Sequence, residues 1–390
     1  MSEAIPTLTV SENRKPVYIQ LMKNVADLLA QLVACPSISP KMGIPVQPPY
    51  GETAMVELLD KILRGWGAEI QITETAPGRP NILACFPGKN RKRSILLDAH
   101  TDVVAVDGMI IPPFAPTIRD GKLYGRGASD TKGPMAAMLM AIRRVLDEDG
   151  QPPITVWFAG TCNEELGATG AAALMASGFR ADMAVVGEPT NFQIVYTHKG
   201  ALRAVLETAG VATHSSMPHL GVNAIYKMAA VITRLEKMTF PNTHPKLGGP
   251  TVSVGTVTGG SQVNIVPASC RIEVDRRLLP GETREEIVRQ FVGNDDVTCT
   301  VTEFYPPFEE SLDSPIVKLV AESSQRLLGR AEFITPPYAT NAGPFKAAGM
   351  PSVIFGPGHL AQAHTKDEYI EVALLEQGVD LYADIIRHAT

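Results

Sequence analysis

No two cysteines of this 390-residue chain stand as CxxC, and the five present, Cys35, Cys85, Cys162, Cys270 and Cys299, are scattered and odd in number. That excludes a disulfide framework and a thiolate zinc site, and it points to a reducing compartment. Nowhere do eighteen apolar residues run together, and the first twenty residues carry charges and prolines where a signal peptide needs an apolar core. Neither secretion nor a membrane span is expected, and the cytoplasm is the expected location. Basic runs are also missing. The net charge is -6 and the densest basic cluster covers only 89–93, which argues against nucleic acid as a partner. No internal repeat or low-complexity segment is evident.

What is present is enough apolar residue, 45% of the chain, to fill two cores, and a length at which one core usually stops growing. Up to about residue 190 short apolar runs alternate with helical patterns. The periodicity predicts helices over 17–32, 53–65 and 134–146, with Gly150 closing the last, and strands over 94–97, 154–158 and 183–186. That alternation implies an α/β domain with a mostly parallel central sheet flanked by helices.

From about Gln193 the pattern changes to strand 202–208, helix 223–237, strands 251–257 and 268–275, helix 284–291 and strand 297–304. This is the β-α-β-β-α-β order of a ferredoxin-like unit. After Pro306-Pro307 the α/β pattern returns, with a helix over 316–328 and a strand over 352–355. The expected architecture is a domain of 1–192 and 306–390 carrying an inserted α+β domain of 193–305.

The chemistry-bearing residues lie just beyond predicted strands, the edge at which open α/β sheets bind ligands. His100 and Asp102 follow 94–97, Asp130 sits in the loop 125–133, Glu164 and Glu165 follow 154–158, Glu188 follows 183–186, and His364 follows 352–355. Imidazole with carboxylates suits an open catalytic zinc site, and two ions can share one carboxylate. Asp130 is the expected bridge, one ion taking His100 and Glu188 and the other Glu165 and His364. Glu164 is left free as a general base. Asp102 is expected to accept the second ring N–H of His100 and so fix its tautomer. Gly125-x-Gly127 is no nucleotide fingerprint, because Asp130 stands where the third glycine belongs.

Five segments carry a resemblance: LDAHTDVV at 97–104, GRGASDTKG at 125–133, NEELG at 163–167, GEPT at 187–190 and AHTKDE at 363–368. In this order, over nearly the whole chain, they resemble the dinuclear zinc family of acetylornithine deacetylase, succinyl-diaminopimelate desuccinylase, aminoacylase and the glutamate-releasing carboxypeptidases. The resemblance implies the metal assignments above, a cis peptide after Asp130, and an inserted domain acting as lid and dimerisation module; for that lid to close, a hinge near Gln193 and Tyr305 is expected.

It also implies that His214 reaches the active site of a second subunit in a homodimer, and that Asn264 and Arg276 bind substrate. Read by themselves, Asn264 could cap a turn and Arg276 could pair with a neighbouring acid. The implied activity is hydrolysis of the amide of an N-acyl amino acid. A dipeptidase or carboxypeptidase on the same site, and a non-catalytic protein of the same fold, are the alternatives. Zinc is the expected metal, with cobalt or manganese open to the same ligands.

Two departures stand out. Asn341, in ATNAG at 339–343, stands where many members of the family it resembles carry Asp near the C-terminal substrate loop, and it is a candidate substrate contact. Asp98 stands where members of the family it resembles often carry a small residue.

Overall fold

A computed structural model describes residues 24–40, 44–293 and 296–390. The first helix runs Val25–Val33, begun by the Asn24 side chain accepting from the Asp27 amide. The 17–23 part of the helix expected there, like the first twenty residues read for a signal, lies outside the described residues.

The large sheet has eight strands in the spatial order Glu69–Ala76, Arg79–Phe86, Ile154–Thr161, Asn90–His100, Met183–Val186, Ser352–Ile354, Ile194–Val195, Phe333–Ile334. Its centre is parallel: Asn90–His100 pairs in parallel with both Ile154–Thr161 and Met183–Val186, and Ser352–Ile354 continues the run. The antiparallel hairpin Glu69–Ala76/Arg79–Phe86 closes one edge. Periodicity leaves this hairpin unassigned, since polar residues make up most of the first strand and Pro80 interrupts the second.

Alternation along the central strand sets the layers. Ile95, Leu97 and Ala99 pack into the core formed with Val25–Val33, Lys132–Asp149 and Val372–His388. Leu96, on the opposite face, packs with Leu174 of Thr169–Ala176 and Phe345 of Ala342–Ala347. Burial on both faces explains the near-continuous apolar strands, and it is the arrangement of a parallel sheet.

A second, four-stranded antiparallel sheet has the order Thr251–Gly259, Ser269–Leu278, Gly200–Ala209, Thr298–Tyr305. It buries Leu206, Ile272 and Val274 against Met228 and Val231 of Ala224–Glu236 and Phe291 of Arg284–Val292, a core of its own. Asn223 caps the first of these helices and a Thr283/Glu286 capping box starts the second. The two sheets are joined by a short ribbon in which Thr197–His198 pairs with Phe308–Glu309. Among the described residues no helix is long and apolar enough to cross a membrane.

Candidate metal centre

The carboxyl ends of the central strands converge as their order requires. His100 ends its strand, Glu164 and Glu165 follow Ile154–Thr161 on a tight turn, and Glu188 follows Met183–Val186. The turn carrying the two glutamates is flanked by Asn163 and Ala168, both at left-handed φ (57° and 51°). Such backbone persists only where its surroundings hold it.

Asp130 stands between two imidazoles. Its Oδ1 is 3.1 Å from Nε2 of His100 and its Oδ2 is 3.2 Å from Nε2 of His364, which itself lies 3.2 Å from Glu165 Oε2. Ligand atoms of His100, Asp130 and Glu165 all fall within 4.8 Å of one another. One carboxylate with an imidazole at each oxygen is the geometry a bridging ligand needs.

Glu188 is buried in electrostatic reach of the same groups. Its carboxyl is pushed well up, first by burial and then by Asp130. Burial likewise pushes Glu164 well up, with His100 opposing and Glu188, Glu165 and Asp102 adding to the shift. His364 is drawn up to about 10 by its contacts with Asp130 and Glu165. So much enclosed negative charge is costly unless compensated, and a hard oxygen-rich set with two imidazoles suits divalent cations. The donors fit two such ions.

Asp102 meets His100 through its backbone and not through its carboxylate. The ring Nδ1–H of His100 donates to the backbone carbonyl of Asp102 at 2.9 Å, while the nearest carboxylate oxygen is 3.6 Å away. The proton therefore sits on Nδ1 and Nε2 keeps its lone pair for a metal. The carboxylate instead accepts from the amides of Glu164 (2.9 Å) and Glu165 (3.2 Å) and from the Ser39 hydroxyl. Ser39 is held in turn by Arg79, which is paired with buried Glu52. Asp102 thus fixes the main chain that presents both glutamates.

The Asp130 loop is fixed from below by Glu368. Its buried carboxylate accepts from Arg126 Nη1 (2.6 Å) and from the amides of Gly127, Ser129 and Asp130 at 2.9–3.1 Å. The Asp130–Thr131 peptide is cis, as the resemblance implies, and the Thr131 hydroxyl donates to the Gly187 carbonyl, tying this loop to that of Glu188. The Glu368 role was available only as the last letter of AHTKDE. Tyr338 also belongs here. Its phenol is pushed up by burial and by Glu188, Asp130 and Glu164.

The remaining expected residues lie elsewhere. His214 and Asn264 are neighbours on the small sheet's side, both exposed. The Asn264 carbonyl accepts from the Ser215 amide, and His214 Nδ1 lies 2.7 Å from the Ser216 hydroxyl. Arg276 is fully buried, paired with Glu282 at 2.5 Å and stacked on Phe240 at 4.2 Å. It therefore makes the ion pair that the bare sequence reading held open. Asn341 is also fully buried, donating to Asp98 and Thr161 instead of lining a cleft.

The sequence profile of Peptidase family M20/M25/M40 matches residues 96–388. The acetylornithine deacetylase of Proteus mirabilis (strain HI4320) is 32% identical over 385 residues, covering 93% of this chain and 96% of that protein. Among solved structures, an M20 family metallo-carboxypeptidase from Sulfolobus solfataricus matches with TM-score 0.75 at 21% identity, over 94% of this chain and 99% of that one. A dinuclear metal binding peptidase of the M20 family from Bacillus subtilis matches with TM-score 0.65 at 14% identity, over 93% and 96%. At those identities the two solved structures speak for the fold.

Proposed function

The chain belongs to peptidase family M20/M25/M40, and from that membership we propose that it hydrolyses the amide bond of an N-acyl amino acid as a dinuclear metal-dependent amidohydrolase. The observation that carries this reading is Asp130 facing one imidazole from each of its oxygens, beside Glu165 and buried Glu188. Likeness to a deacetylase over nearly the full length of both chains supports the acyl amino acid as substrate.

His100, Asp130 and Glu188 would hold one ion, and Asp130, Glu165 and His364 the other. Zinc is the metal we assign, the imidazole–carboxylate mixture being its usual catalytic environment. Bound there, the ions would supply Lewis acidity toward the amide carbonyl and lower the pKa of water. Glu164, kept off the ligand set, takes the proton of the attacking water on its carboxylate and returns it to the departing amide nitrogen. A buried carboxyl pushed upward is suited to both halves of that transfer. Asp102 holds the main chain of both Glu164 and Glu165 by accepting from their amides.

We assign residues 1–192 and 306–390 to the metal-binding domain and 193–305 to a lid. His214 has no hydrogen bond or ion pair with the metal-site residues, and it lies near exposed Val211, Met217, Leu220 and Val263. That apolar surface, covered by a second copy of the chain, supports a homodimer in which His214 steadies the oxyanion across the interface. Asn264, Arg276 and Asn341 are the residues we carry as substrate contacts. For Arg276 that role requires the lid to move and Glu282 to release it; for Asn341 it requires the 339–343 loop to leave Asp98. The five free cysteines support a cytoplasmic location.

The test is amine release from N-acetyl, N-succinyl, N-formyl and N-carbamoyl amino acids and from dipeptides, with protein loaded with zinc, cobalt or manganese. Turnover of acylated amino acids supports the proposal. Turnover of dipeptides alone makes the chain a dipeptidase on the same centre, and no turnover by metal-loaded protein overturns the hydrolase reading.

A further inference from the structure

Tyr305 is the last residue of the small sheet's edge strand Thr298–Tyr305, paired there with Ala201. Its side chain nonetheless belongs to the other sheet's loop. The buried hydroxyl donates to the Glu164 carbonyl at 2.8 Å and accepts from the Gly167 amide at 2.6 Å. It thereby clasps both ends of the turn that presents Glu164, whose carbonyl also takes the Ala168 amide at 3.2 Å. The contact spans 141 positions in sequence.

The surroundings of Tyr305 are equally tight. A Cβ on Gly200 would lie 2.5 Å from the Tyr305 carbonyl, and one on Gly343 would lie 2.2 Å from the Pro306 carbonyl, so only glycine fits at either place. The next residues run directly into the ribbon of Phe308–Glu309 with Thr197–His198 that joins the two sheets. The junction is therefore packed against the turn bearing Glu164 on one side and the 339–343 loop on the other.

We propose that Tyr305 is a positioning residue that sets the place of Glu164 from the lid hinge, so that the position of the small domain is transmitted to the general base. This rests on the hydrolase reading above and adds to it a fixed mechanical link between lid and base. The turn that presents Glu164 is held by Asp102 at the Glu164 and Glu165 amides and by Tyr305 at the Glu164 carbonyl, which the Gly167 and Ala168 amides also reach at 3.3 and 3.2 Å. Removing the phenolic oxygen leaves the ring to fill the same space but takes away the shortest hydrogen bond to the Glu164 carbonyl and leaves the Gly167 amide only its longer bond to that carbonyl.

The experiment compares wild type with Tyr305→Phe on the best substrate of the panel, measuring kcat, KM, bound metal and melting temperature. Tyr305→Phe is expected to keep its metal and its KM within about twofold while kcat falls about 10- to 100-fold, the effect of displacing a catalytic group by a fraction of an ångström to an ångström. A merely structural tyrosine would instead lower kcat only in step with folded fraction or metal content, and that result overturns the proposal, as does an unchanged kcat. Wild type without turnover on any substrate fells the hydrolase reading and this inference with it. A fast wild type with an equally fast Tyr305→Phe fells this inference alone.

Discussion

Asn341 Nδ2 lies 3.0 Å from Asp98 Oδ2 and 2.8 Å from Thr161 Oγ1, and Thr161 donates to the other oxygen of Asp98 at 2.9 Å. Two buried residues 243 positions apart are thus one feature. Burial pushes the Asp98 carboxyl up to about 7 even with these two donors. An acid at 341 would face a second buried carboxylate with no cation between them. Asn341→Asp is therefore expected to cost about 3–5 kcal/mol in urea unfolding, the range for uncompensated buried charge, while Asp98→Asn combined with Asn341→Asp recovers much of that loss. Equal stability of the single and double variants would contradict this pairing.

Glu368 and Arg126 form a buried pair at 2.6 Å beneath the loop of Asp130. Glu368→Gln offers one acceptor oxygen where two now serve four donors. We expect about 10- to 100-fold weaker metal binding in competition with a chromophoric chelator, as for other groups that orient metal ligands.

Metal removal has a predicted sign as well. Glu164, Glu165 and Glu188 are all held above their ordinary range, burial being the first cause in each. A cation relieves that charge only in the folded chain, so ion binding stabilises it by linkage. Dialysis against a chelator should lower the melting temperature, and titrating zinc back should raise it in a concentration-dependent way.

If His214 completes the site of a second subunit, two inactive variants complement each other. In a random mixture of Glu164→Gln and His214→Ala chains half the dimers are mixed, and each mixed dimer has one intact site. Activity should return to about a quarter of wild type. Mixtures that stay inactive after subunit exchange would place His214 outside the neighbouring site.

The candidate ligands were legible because His100, Glu165, Glu188 and His364 lie at or beyond the carboxyl ends of strands of the large sheet, where its topology gathers distant segments, while Asp130 was read from its loop at 125–133. The small sheet was legible for a similar local reason, its element order matching the observed one. What could not be read is what depends on contacts between distant segments: Asp98 with Asn341 across 243 positions, and the Glu368 carboxylate under Asp130 across 238. Asp102 was read two residues from His100, but whether its carbonyl or its carboxylate takes the ring proton is decided by where Glu164 and Glu165 bring their amides. The N-terminal hairpin escaped because Pro80 and the polar residues of an edge strand mask its period.

The central claim is that Glu164 moves the proton while the other donors hold the ions, and Glu164→Gln tests it most directly. The variant is isosteric and removes only the carboxylate that shuttles the proton. Hydrolysis of the wild-type substrate should fall by about 10²- to 10⁴-fold, with two ions per chain and the melting temperature retained. A variant that hydrolyses the substrate at close to the wild-type rate would contradict the account.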